Sequence, residues 1–131
     1  MIRILLVDDD KDILDIMRLD LEDDPAFAVD TCSASTEAVE KINKSEYDVI
    51  IADWRMPVLN GTELIKKIRS NGCKSLVILY SGHNVSTDIR TAIENGADYY
   101  LHRGGDPETE FARLREIIGK AGNLQQAPKK T

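Results

Sequence analysis

The stretch Asp48-Val49-Ile50-Ile51-Ala52-Asp53-Trp54-Arg55-Met56-Pro57 decides the fold of this chain. An apolar run, Val49 to Ala52, carries a carboxylate, Asp53, to its far end. Met56-Pro57 then stops regular structure, because proline has no N–H and biases the residue before it away from helix. In α/β proteins, a buried strand that ends on an acid and then turns presents a reactive group at the edge of a sheet. The amino-terminal run repeats the device, since Ile2-Arg3-Ile4-Leu5-Leu6-Val7 passes directly into Asp8-Asp9-Asp10. These two strand ends are expected side by side, with their acids sharing one cation.

Outward from this stretch, strands and helices alternate. Ile4 to Val7 is continuously apolar, the pattern of a strand buried on both faces. From Lys11 the period becomes helical, with Ile13, Leu14, Met17 and Leu21 on one face, and the helix ends before Pro25. Phe27-Ala28-Val29 reads as a second strand reaching toward Cys32, and Ser35 or Thr36 is expected to cap a second helix carrying Ala38, Val39 and Ile42. The third strand is expected over 47–52. Asn60-Gly61 turns into a helix carrying Leu64, Ile65 and Ile68 and closed by Asn71-Gly72. Leu76 to Leu79 is a fourth strand ending on Tyr80-Ser81-Gly82. A helix from about Ser86 should turn Ile89, Ala92 and Ile93 inward, and Tyr99-Tyr100-Leu101 is a short fifth strand. Asp106-Pro107-Glu108 supplies a cap, a first-position proline and a first-turn acid, ahead of Phe111, Leu114, Ile117 and Ile118. The pattern predicts five βα units, hence a doubly wound parallel sheet with helices on both faces. After Gly119 the apolar pattern stops, which predicts a tail or linker.

Composition narrows the function. A length of 131 residues suits one domain with a real core. The 17 basic and 23 acidic residues leave a net charge of −6, which argues against a nucleic-acid surface and suits cations or basic partners. Two cysteines, Cys32 and Cys73, have neither metal spacing nor a disulfide framework and read as reduced thiols. No apolar run approaches the ~20 residues of a membrane span. The amino terminus lacks signal-peptide character, so a cytoplasmic location without membrane association is expected.

Sites in doubly wound folds form at the carboxyl ends of strands. Arriving there are Asp8, Asp9 and Asp10, then Asp53, Ser81, and His102-Arg103. Neighbouring strands lie ~4.8 Å apart, so carboxylates gathered there repel unless a cation intervenes. Oxygen ligands without histidine or cysteine suit Mg²⁺, which keeps waters and leaves room for a phosphate. Asp10 reads as the cap of the first helix rather than a ligand.

Together these residues resemble a receiver domain of a two-component response regulator. The resemblance rests on Leu6-Val7-Asp8-Asp9, on Asp53-Trp54-Arg55-Met56-Pro57 with Gly61, on Ser81 after an apolar strand, and on Gly96-Ala97-Asp98-Tyr99-Tyr100-Leu101. It implies a receiver domain over 1–120, a flexible carboxyl-terminal tail or linker over 121–131, and a flavodoxin-like (βα)5 fold with strand order 2-1-3-4-5. Asp53 would be the phosphoacceptor, taking a phosphoryl group from a histidine kinase or a small acyl phosphate. Asp9 would bind Mg²⁺ directly, Asp8 largely through water, and Asp53 and the Arg55 backbone carbonyl would complete the protein ligands. Ser81 would bond a phosphoryl oxygen and Tyr100 would follow it inward, switching the helix 4–strand 5–helix 5 surface toward a downstream protein or effector domain. Arg55 and His83 occupy positions that tune phosphoryl lifetime in the family, where His83 could position a water. Homodimerisation through helices four and five is compatible with it.

One departure stands out. The family places a Lys-Pro pair after strand five, with the lysine on the phosphoryl group; here the residues are Arg103 and Gly104. Arginine keeps the charge but is longer and planar, and the loop Arg103-Gly104-Gly105 is expected to be more mobile. This leaves two readings, an active phosphoacceptor that catalyses only its own phosphotransfer and dephosphorylation, or a pseudo-receiver kept as an interaction module. A haloacid-dehalogenase-like phosphatase would want a second acid where Arg55 stands, and a flavodoxin would want a hydroxyl- and glycine-rich loop where the aspartates stand.

Overall fold

The computed structural model describes residues 1–126, with side chains described through 121. Its elements run β1 (Ile2–Val7), α1 (Lys11–Glu22), β2 (Phe27–Cys32), α2 (Ser35–Lys44), β3 (Val49–Ala52), α3 (Gly61–Ser70), β4 (Leu76–Ser81), α4 (Ser86–Glu94), β5 (Tyr99–His102) and α5 (Pro107–Gln126). The five strands form one sheet in the order β2-β1-β3-β4-β5, every pair parallel. This is the flavodoxin-like doubly wound arrangement expected from the alternating pattern.

Alternation along each strand splits the core in two. Leu5, Val7, Ile50, Ala52, Val77 and Leu79 pack against Ala38 of α2, Leu64, Ile65 and Ile68 of α3, and Ala92 of α4. Ile4, Leu6, Val49, Ile51, Ile78 and Tyr80 face the other way, onto Leu14, Met17 and Leu21 of α1 and Leu114, Ile117 and Ile118 of α5. Because both faces of the central strands are covered, Ile4 to Val7 of β1 and Val49 to Ala52 of β3 read as unbroken apolar runs rather than alternating ones.

Local details depart from the sequence expectation in four places. Residues 47 and 48 precede β3, and Tyr47 instead donates from its buried ring to Asp30 at 2.7 Å. Neither Ser35 nor Thr36 caps α2; Ala34 holds that position, and the Ser35 hydroxyl donates to the Pro57 carbonyl at 3.0 Å. Ile93 is 43% exposed, so the inward face of α4 is thinner than its apolar residues suggest. Helix α5 continues through Gly119 to Gln126 and buries Ala121. A mid-helix glycine costs only about 1 kcal/mol, which packing by Ile117, Ile118 and Ala121 offsets. The last part of the expected tail, 127–131, lies outside the described residues. Among the described residues no helix is long and apolar enough to cross a membrane.

Candidate functional site

The sheet register builds the site. Val7 pairs with Ala52 at the carboxyl ends of β1 and β3, and the Asp53 N–H donates to the Val7 carbonyl at 3.0 Å. The next residue of each strand therefore sits at one edge. Asp8, Asp9 and Asp53 each offer an oxygen, and these atoms all lie within 4.8 Å of one another. Asp8 and Asp53 are buried, and Asp9 is exposed. Burial pushes the Asp8 carboxyl above the usual aspartate range, and the charge of Asp53 adds to the rise; the Asp10 N–H and the Arg103 guanidinium oppose it. Asp10 faces away and caps α1, accepting from the N–H groups of Asp12 and Ile13.

Arg103, following β5, reaches back over this cluster. Its Nη1 lies 3.1 Å from Asp8 Oδ2 and its Nη2 lies 3.7 Å from Asp53 Oδ2. The guanidinium carbon stands 5.5 Å from the centre of the Tyr80 ring, in cation–π range. Contrary to the expected loop mobility, both residues after Arg103 are tied down. Gly104 and Gly105 donate their N–H groups to Glu110 Oε2 at 3.3 and 2.7 Å.

On the opposite face of the sheet, Ser81 at the end of β4 donates its hydroxyl to Asp53 Oδ1 and accepts from the His83 N–H at 3.2 Å. Tyr100 points inward, and its hydroxyl donates to the His83 carbonyl at 2.7 Å. Burial raises the Tyr100 phenol, with Asp53 and Asp88 adding to the rise and Ser81 opposing it. Arg55 donates from Nε to His83 Nδ1 at 3.2 Å, while His83 Nε2 lies 2.7 Å from an Asp88 carboxylate oxygen. Both ring nitrogens are thus engaged, and His83 links Arg55 to Asp88. The imidazole stacks on Trp54 with centroids 4.0 Å apart and planes 8° from parallel. An open cleft above Asp53 is lined by Arg55, Ser81, His83 and Arg103.

The turn after Asp53 leaves no room for a larger residue at Gly61. A Cβ there would lie 2.9 Å from the Trp54 Cα and 3.0 Å from Leu79 Cδ2. Val58, exposed in the same turn, adopts φ 71°, a left-handed conformation that a β-branched residue enters only at a cost of roughly 1–2 kcal/mol.

A cluster of carboxylate oxygens with one arginine and no thiolate or imidazole ligand fits a hard divalent cation. The model for the response regulator receiver domain matches residues 4–115. The chain belongs to this family. Similar proteins include the response regulator ArlR of Staphylococcus aureus, 30% identical over 118 residues that cover 90% of this chain and 53% of ArlR. The transcriptional regulatory protein TrcR of Mycobacterium tuberculosis is 26% identical across 95% of this chain and 48% of its own length. The chain thus spans about half the length of these curated relatives. A response regulator receiver domain protein from Clostridium thermocellum superposes with a TM-score of 0.83 at 30% identity, covering 96% of this chain and 98% of that one. This receiver domain is a two-component signalling module.

Several of its contacts were invisible to sequence reading. Asp88 and Trp54 acquire their partners only through the fold. Glu110 did leave a trace: it falls on the stripe of Leu114, Ile117 and Ala121, where an acid is out of place.

Proposed function

We propose that this receiver accepts a phosphoryl group on Asp53, in a reaction dependent on a divalent cation held by Asp8, Asp9, Asp53 and the Arg55 backbone carbonyl. The supporting observation is the meeting of three carboxylates within 4.8 Å, one of which, Asp53, lines a cleft together with Ser81 and Arg103. Mg²⁺, when bound, neutralises charge on the incoming phosphoryl oxygens and orients them. The protein's own groups do the rest. Asp53 Oδ1 or Oδ2 attacks phosphorus, the donor's bond to phosphorus breaks, and the electron pair leaves with the donor. Arg103 offers a planar fork for the phosphoryl oxygens. Ser81, already on Asp53, exchanges that bond for one to the phosphoryl group. Tyr100 is coupled to the same loop through the His83 carbonyl, which carries the change to the α4–β5–α5 surface.

The donor is a histidine kinase and the recipient of the signal a downstream protein or effector domain, in keeping with relatives named as response regulators. The domain spans about 1–120. An interaction module that has lost phosphorylation is the second reading, and its ground was Arg103-Gly104. The approach of Arg103 to both Asp8 and Asp53 supports the first. The deciding experiment is incubation with acetyl phosphate, with and without Mg²⁺, read by intact mass. Wild-type chain gains one phosphoryl group only with Mg²⁺, and Asp53→Asn gains none. Labelling that persists in the variant removes Asp53 from this role.

A further inference from the structure

Glu110 does not belong on the buried face of a helix unless every lone pair is used, because an unpaired buried carboxylate costs several kcal/mol. It is 9% exposed, and both of its oxygens are occupied. Oε1 accepts from the Tyr80 hydroxyl at 2.5 Å, while Oε2 accepts from the N–H groups of Gly104 and Gly105 at 3.3 and 2.7 Å. The Tyr80 phenol is pushed well above its ordinary range by burial and by this carboxylate, so it remains a donor. Three donors converge on one side chain from β4 and from the β5–α5 loop. Tyr80 is also the ring over which the Arg103 guanidinium lies. The carboxylate therefore grips the backbone just after Arg103 and the platform beneath its side chain.

We infer that Glu110, acting with Tyr80, is the positioning residue that aims Arg103 at Asp8 and Asp53. The inference rests on the proposed phosphoacceptor reading for its consequence in catalysis, but not for the placement of Arg103. Gly104 shows why a grip is needed. It sits at φ 145°, a conformation open to glycine. The loop it belongs to would otherwise sample many backbone states, and Arg103 would share its cationic head among them. Charge-assisted bonds from two successive N–H groups remove that freedom. A carboxylate offers a charged acceptor oxygen to each side at once. The glutamine isostere is neutral and keeps only one acceptor oxygen, so either the two N–H groups lose their charge-assisted partner or the Tyr80 hydroxyl must turn from donor to acceptor.

Two variants test this in the full chain, Glu110→Gln and Tyr80→Phe, each alone and combined with Arg103→Gln. The first readout is the Arg103 Nε–H resonance and the Gly104 and Gly105 amides in ¹H–¹⁵N spectra. Wild type should show a slowly exchanging Arg103 signal, and Glu110→Gln should lose it while the remaining spectrum stays dispersed. The second readout is the acetyl phosphate labelling rate. Glu110→Gln should slow it about threefold to tenfold, yet have no further effect in the Arg103→Gln background, because residues acting through one group are not additive. Equal slowing in both backgrounds, or an Arg103 signal that survives in Glu110→Gln and Tyr80→Phe alike, overturns the inference. Wild-type chain that takes no label with Mg²⁺ sinks the phosphoacceptor reading instead, and the Arg103 resonance then decides the grip on its own.

Discussion

Arg103 Nη1 sits 3.1 Å from Asp8 Oδ2, bringing a guanidinium from the end of β5 onto the acid that ends β1. Asp8 is 4% exposed, so this pairing is sheltered and only weakly screened by solvent. Together with the approach of Nη2 to Asp53 at 3.7 Å, it makes arginine the built-in counter-ion of the acidic cluster.

A built-in cation competes with an added one. Arg103→Gln should therefore tighten Mg²⁺ binding by about threefold to tenfold, the worth of one half-exposed charge at this range. The same variant should slow acetyl phosphate labelling, since the fork for the phosphoryl oxygens is gone. Trp54 emission reports the titration, because Trp54 adjoins Asp53 in the chain and lines an opening shared with Asp9 and Arg55. Weaker Mg²⁺ binding in Arg103→Gln would show that the guanidinium does not oppose the metal.

Asp8 sets a pH dependence with a definite sign. Burial and the charge of Asp53 raise its carboxyl above the ordinary 3.8. Between that value and the raised one, the folded chain holds a proton that the unfolded chain has released. Stability from this group is thus complete below 3.8 and is lost as pH rises through the folded value. Thermal melts in chelator, wild type against Asp8→Asn, should diverge over that window. At neutral pH the variant should melt higher, since it has no buried charge to desolvate. Adding Mg²⁺ should narrow the gap, since the metal stabilises only the chain that binds it. A wild type that melts higher than Asp8→Asn without metal would contradict the buried-charge account.

Gly61 holds the acid loop against the sheet. With a Cβ only 2.9 Å from the Trp54 backbone and 3.0 Å from Leu79, Gly61→Ala must push the loop outward. Its N–H also donates to the Trp54 carbonyl at 2.7 Å, so the displacement strains a hydrogen bond as well. The expected loss is roughly 1–3 kcal/mol, read by urea denaturation. Mg²⁺ affinity should fall with it, because Asp53 and Arg55 lie in the displaced segment.

How far the sequence reached follows from what kind of signal each feature leaves. The parallel sheet and the meeting of Asp8, Asp9 and Asp53 were legible, because apolar runs of strand length end on those acids and parallel pairing aligns such ends, while the strand order came from the resemblance. Ser81 and Tyr100 were singled out through the resemblance; in the fold Ser81 bonds Asp53 and Tyr100 bonds the His83 carbonyl. The fate of Arg103 was not legible. Gly104 and Gly105 argue for a loose loop locally, and the restraint comes from Glu110 in the next helix and Tyr80 in another strand. The N-terminus of α2 was misread for a similar reason. The Ser35 hydroxyl is drawn to the Pro57 carbonyl, a partner 22 residues away, instead of closing its own helix. Helix α5 was underestimated because one glycine outweighed a buried alanine beyond it.

His83 carries the final prediction. Its ring stacks on Trp54 at 4.0 Å, accepts from Arg55 and meets Asp88, joining the loop after β3 to the start of α4. A guanidinium only donates, so Arg55 is the donor to Nδ1, which leaves Nε2 to carry the proton toward Asp88. His83→Ala removes a stacked ring and two hydrogen bonds at once. Loss of the stack alone is worth about 0.5–1.5 kcal/mol, and the unpaired Arg55 and Asp88 are near enough to solvent to be rehydrated. The variant should unfold at lower urea by a margin of about 1–2 kcal/mol, and Trp54 emission should move to longer wavelength as water reaches the indole face. Lifetime of the aspartyl phosphate should change as well, since Arg55 is released over the cleft. An emission spectrum identical to wild type would mean that the ring does not shield Trp54 in solution, and the link between these two loops would have to be abandoned.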